Sequence, residues 1–81
     1  MKIHVQFYAQ LCNLIGRREL EIEVAEGATA RDLLERIYAQ QPVLRPHDKS
    51  ILIGAGVEFV DRNYKLNPGE EIAIMPPVQG G

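Results

Sequence analysis

The stretch TARDLLERIYAQQP, Thr29 to Pro42, decides the fold. Thr29 is followed three residues later by Asp32, an imperfect capping box whose side-chain oxygens can accept the first free helical N–H groups. A helix is therefore expected to start at Ala30. Leu33, Leu34, Ile37 and Tyr38 recur at helical spacing, while Arg31, Asp32, Glu35 and Arg36 fall on the other side. Pro42 has no N–H to donate and stops the run after about three turns. Such a helix needs one apolar surface to lie on, and the chain on either side of it supplies that surface as strands.

Upstream, KIHVQFY at 2–8 alternates, with Ile3, Val5 and Phe7 on one face and Lys2, His4, Gln6 and Tyr8 on the other. ELEIEV at 19–24 repeats the pattern, with Leu20, Ile22 and Val24 opposite three glutamates. AQLCNLIG between them reads as a short link ending at Gly16, so the two strands form a wide antiparallel hairpin. Downstream, VLRPHDKS at 43–50 has turn chemistry and no stable period. ILI at 51–53 and VEFV at 57–60 read as strands around Gly54 and Gly56, and Asp61 to Asn63 as a turn. Leu66 is one apolar anchor, and Asn67-Pro68-Gly69 turns the chain into EIAIM at 71–75, with Ile72 and Ile74 facing away from Ala73 and Met75.

The order is strand, strand, helix, then two or three strands, and a ferredoxin-like arrangement is excluded for want of a second long helix. The expected class is α+β, a ubiquitin-like β-grasp: a mixed four- to five-stranded sheet with one main helix packed across it. A right-handed crossover through the helix sets the first and last strands side by side in the sheet centre. Residues 1–75 form that domain and 76–81 an extended C-terminal tail ending in Gly-Gly.

The chain has 81 residues, 46% of them hydrophobic, which suits one core but not a deep enclosed catalytic cavity as well. Nine Lys plus Arg stand against eleven Asp plus Glu, interspersed, and the pair Arg17-Arg18 runs directly into Glu19, Glu21 and Glu23. No phosphate-binding field results, so neither nucleic acid nor an anionic membrane is an expected partner. There is no apolar run of membrane-spanning length and no signal-peptide core, and a cytoplasmic protein is expected. Cys12 is the only cysteine, which rules out an intrachain disulfide and a cysteine-based metal cluster; it reads as a small, partly buried hydrophobe. His4 and His47 stand far apart with no ligand pair beside them, and no metal site is expected.

The chain closes on MPPVQGG, 75–81. Pro76 and Pro77 fix their own φ and end the ladder near Met75. The six residues beyond it reach about 20 Å when extended. The prolines lower the entropy lost on insertion into a partner, and Gly80-Gly81, without Cβ atoms, fit a channel too narrow for side chains. A terminal carboxylate carried there is unreactive until ATP turns it into an acyl-adenylate, from which AMP can leave. The small domain is then the handle, and the partner holds the catalytic groups.

FYAQL at 7–11 with IG at 15–16, the TARDLLERI helix at 29–37 and the ending LNPGEEIAIMPPVQGG at 66–81 together resemble the small, sulfur-carrying subunits of molybdopterin synthase, within the ubiquitin-like sulfur carriers. The resemblance runs through the whole chain, and PPVxGG is its most discriminating part, since thiazole-pathway carriers share the final GG but usually lack the paired prolines. It implies a non-catalytic subunit of a transferase complex. An E1-like adenylating and sulfurylating enzyme, using ATP and a sulfur donor system, converts the Gly81 carboxylate to a thiocarboxylate. Residues 76–81 then enter the large synthase subunit, with Pro76, Pro77, Val78 and Gln79 spanning the entrance and Gly80 letting the chain pass. Sulfur goes to cyclic pyranopterin monophosphate to build the molybdopterin dithiolene, in a heterotetramer, with no permanently bound cofactor.

The resemblance also carries a partner-binding patch onto Tyr8, Phe59 and Met75. Tyr8 and Met75 lie off the expected core faces of their strands; for Phe59, core and interface both remain open. Related chemistry in another pathway (thiamine thiazole, cysteine or transfer RNA thiolation), attachment to proteins as a ubiquitin-like modifier, and a plain non-covalent interaction domain are the alternatives.

Overall fold

The computed structural model describes residues 1–77. Along them run β1 (Lys2–Phe7), α1 (Ala9–Ile15), β2 (Glu19–Glu23), α2 (Ala30–Gln40), a 3-10 helix (Pro42–Ser50), β3 (Leu52–Ala55), β4 (Glu58–Val60) and β5 (Glu71–Met75). The five strands form one mixed sheet in the order β2-β1-β5-β3-β4, a ubiquitin-like β-grasp. β1 and β5 pair in parallel at its centre, with Val5 opposite Ile72, and every other pairing is antiparallel.

The alternation read from the strands sets the register. Ile3, Val5, Phe7, Ile22, Ile53, Ile72 and Ile74 all point to one face and are almost fully buried. Leu33, Leu34, Ile37 and Tyr38 of α2 cover them. Among the described residues, no helix is long and apolar enough to cross a membrane.

α2 begins where its cap dictates. The Asp32 N–H donates to Thr29 Oγ1 at 3.3 Å and the Thr29 N–H donates to Asp32 Oδ2 at 2.9 Å, so both halves of the capping box form. Thr29→Ala removes one acceptor of that reciprocal pair and is expected to cost about 1 kcal/mol of stability. Chemical denaturation checks this, and an unchanged midpoint would show that the cap adds nothing.

Two elements depart from the sequence expectation. The link AQLCNLIG is a helix, α1, ended by Gly16 in the left-handed region with its N–H on Cys12 O at 2.9 Å. Burial of Leu11 holds it in place, because seven residues without a side-chain cap are too few to be helical alone. The stretch expected to have no regular structure, 43–50, belongs to the 3-10 helix, started by Pro42 and anchored by buried Leu44. β3 begins one residue later than expected, and Val57 lies in the turn before β4, fully exposed.

Asp48 ties the 3-10 helix to the rest. Its carboxylate accepts from the Tyr38 hydroxyl at 2.6 Å and sits 3.3 Å from Arg31 Nη1, both groups on α2. Its carbonyl accepts from Arg62, beyond β4. The Tyr38 hydrogen bond, helped by Arg31 and Arg62, holds the Asp48 carboxyl below the usual carboxylate range, against the opposing effect of its partial burial. A lowered folded pKa contributes stability that is present above the unfolded value of about 3.9 and is lost as pH falls through the folded one. Asp48→Asn should therefore melt lower than the parent at pH 7, and the gap should narrow below about pH 4. Melting curves across that range decide it; a gap independent of pH would remove the charge from the explanation.

Candidate functional site

The core occupies one face of the sheet, and among the described residues no helix covers the other. Register makes that outward face from Lys2, His4 and Gln6 on β1, Glu19, Glu21 and Glu23 on β2, Glu71, Ala73 and Met75 on β5, Leu52 and Gly54 on β3, and Phe59 on β4. It divides into two halves. On the β2–β1 side the glutamates dominate, with His4 Nε2 2.8 Å from Glu19 Oε2 and the terminal ammonium 3.1 Å from Glu23. On the β5–β3–β4 side the one charge is Glu71, at the start of β5 opposite His4, and Leu52, Gly54, Phe59, Ala73 and Met75 beyond it carry none.

The three residues singled out for an interface meet this face or its edge. Phe59 is 65% exposed, which settles the choice left open between core and surface. Its partner across the ladder is Gly54, so its ring stands over the outward face and not the core. Met75 is half-buried and pairs with Leu52 at the end of β5. Tyr8 is 46% exposed; its backbone N–H donates to Ile74 O at 3.1 Å and its hydroxyl to Gln6 Oε1 at 2.8 Å.

The direction of Tyr8 is set by the residue after it. Ala9 takes φ 53°, a left-handed conformation that costs a residue with a Cβ about 1–2 kcal/mol, and this turn swings the chain out of β1 into α1. Because the Tyr8 amide rests on Ile74, the Tyr8 backbone and the end of the last strand are neighbours. An exposed apolar group is unremarkable singly; several on one sheet face beside a chain exit make that face a candidate site.

Pro76 is half-buried and Pro77 exposed, and neither extends β5. Val78, Gln79, Gly80 and Gly81 lie outside the described residues. Leu52 and Ala73 complete the apolar half and were not among the residues singled out from sequence. Their signal was the same alternation that put Ile53, Ile72 and Ile74 inside. Cys12 is partly buried and packs against the core. An open depression of about 610 Å³ beside Tyr8 is lined in part by Cys12, Asn13 and Arg18. Among the described residues no three His, Cys, Asp or Glu side chains stand together as metal ligands would.

Residues 5–81 match the model of the ThiS family. The chain is 35% identical to the molybdopterin synthase sulfur carrier subunit of Chlamydomonas reinhardtii over 83 aligned positions, covering all of both chains. Its fold superposes on a putative molybdopterin converting factor, subunit 1, from Pyrococcus furiosus with a TM-score of 0.86 at 29% identity, over 96% of this chain and 99% of that one. It also superposes on SAMP1 from Haloferax volcanii with a TM-score of 0.87 at 25% identity, over the full length of both. With this fold, and with the family match running through the sheet and helix just described, the chain belongs to the ThiS family of ubiquitin-like β-grasp sulfur carriers.

Proposed function

We infer that this chain is the sulfur-carrier subunit of a molybdopterin synthase, and that Gly81 is the residue that carries the sulfur. The observation that carries the reading is the end-to-end similarity to a molybdopterin synthase sulfur carrier subunit, with PPVQGG closing this sequence. Residues 1–75 act as the domain that partners grip, and 76–81 as the tail that enters them. The protein works in the cytoplasm, without catalytic groups of its own.

The chemistry needs two partners. In the first, an adenylating enzyme, a Gly81 carboxylate oxygen attacks the α-phosphorus of ATP and pyrophosphate leaves. Hydrosulfide, supplied by the sulfur donor system, then attacks the acyl carbon and expels AMP, leaving a thiocarboxylate. In the second, the large synthase subunit, that sulfur is transferred to cyclic pyranopterin monophosphate, and water returns Gly81 to the carboxylate. Two rounds supply both sulfurs of the dithiolene.

Tyr8, Phe59 and Met75 are the docking contacts in this reading. Their exposure on or beside one sheet face, next to the exit of β5, supports it: a partner seated there receives the tail from a fixed starting point. Pro76 and Pro77 limit the directions in which the tail leaves, and Val78 and Gln79 bridge to the glycine pair. The thiocarboxylated chain mixed with the large subunit and the pterin precursor should yield the dithiolene product; failure of the naturally paired proteins to do so would count against the reading.

A second reading has one observation in its favour, the likeness to SAMP1, whose fold this chain shares over its full length. If the tail is attached to proteins, tryptic digests of cells that make the chain will contain lysines bearing residues 66–81, because Lys65 is the last basic residue before the tail. Their appearance together with a lack of dithiolene product would favour the modifier.

A further inference from the structure

Five glycines lie among the described residues, and four of them, Gly16, Gly27, Gly56 and Gly69, take positive φ. Gly54 does not, so its backbone accepts any residue, and it sits in β3, where glycine normally weakens a strand. It is also buried, although its position belongs to the uncovered face of the sheet. Met75 explains both facts. A Cβ added at Gly54 would stand 3.0 Å from Met75 Cε and 3.5 Å from Ala73 Cβ, the first well inside the usual carbon–carbon contact of about 3.5–4.0 Å.

We propose that Gly54 is a positioning residue for the docking face and acts through Met75. The space left by its missing side chain lets the Met75 thioether lie across β3, with its methyl end over the residue that pairs with Phe59. That closes the seam between Met75 and Phe59 into one apolar surface. The clash an alanine introduces is with the far end of a flexible side chain, so the fold survives while the methyl turns away and the seam opens. The proposal rests on the docking role given to Met75 above.

A double-mutant cycle reads it out, with binding of the large subunit measured by calorimetry and melting recorded in parallel. Gly54→Ala should weaken binding about 10-fold, Met75→Ala by a similar factor, and the double variant by no more than about twofold beyond Met75→Ala, because contacting residues are not additive. Equal losses from Gly54→Ala in both backgrounds, or none in the parent, overturn the proposal. If Met75→Ala binds as the parent does, the docking reading falls and takes the proposal with it. If Met75→Ala weakens binding but Gly54→Ala does not, only the proposal falls. Should Gly54→Ala fail to fold, the unaltered protein still decides: methyl-labelled methionine should show a nuclear Overhauser contact between the Met75 ε-methyl and the Gly54 α-protons, and its absence refutes the placement.

Discussion

Deleting Gly81 is expected to abolish acceptance of sulfur and leave the fold as it is. Among the described residues, every buried hydrophobic lies between Ile3 and Ile74, and the last residue paired in the sheet is Met75. The melting temperature should therefore move by no more than about 2 °C. The chemistry has no such tolerance. Shortening the tail by one residue pulls the terminal carboxylate back by about 3.5 Å. A misplacement of only about 1 Å can cost on the order of 100-fold in rate, so adenylation and sulfur transfer should fall below detection. Normal thiocarboxylation of the shortened chain would remove Gly81 from the account.

Phe59→Asp is expected to be the most damaging single change on the docking face. The ring is 65% exposed in the free chain, so its loss leaves a small mark on folding. Aromatic groups buried at the centre of an interface are hot spots whose truncation costs about 2 kcal/mol or more, and a carboxylate in their place must also be desolvated without a partner. The dissociation constant for the large subunit should rise by roughly 100-fold, with the melting temperature close to that of the parent. Calorimetry and a melting curve check both halves. Binding within twofold of the parent would show that Phe59 lies outside the contact, and a large drop in melting temperature would return it to a structural role.

Much of this was legible in the sequence because it rests on local rules. Thr29 and Asp32 cap α2, Pro42 follows its end, and the alternation of β1 and β5 assigns Ile72 and Ile74 inward and Met75 outward. What local rules could not supply was held by tertiary contact. α1 has seven residues, begins at a strained Ala9 and depends on the burial of Leu11; its one sequence signal was Gly16 at its end. The 3-10 helix depends on Leu44 in the core and on Asp48 meeting Tyr38 and Arg31, groups at least ten residues away.

The site divides in the same way. Met75 was assignable because it closes a strand of five residues, whereas β4 has only three residues, too few for alternation to orient Phe59. Pairing with Gly54 decides its face, and that pairing is a property of the assembled sheet. The space under Met75 was invisible for the same reason. A glycine in a strand reads equally as a bulge, a turn or a close approach until its neighbours across the ladder are known.

The central claim is that Gly81 carries sulfur between two partners, and the mass of the intact chain follows it through a full cycle. Incubation with ATP, the cognate activating enzyme and a sulfur source should add about 16 Da, one oxygen replaced by sulfur at the terminal carboxylate. Adding the large subunit and cyclic pyranopterin monophosphate should return the chain to its starting mass as product forms. A chain that never gains the mass, or that gains it on a residue other than Gly81, would contradict the account.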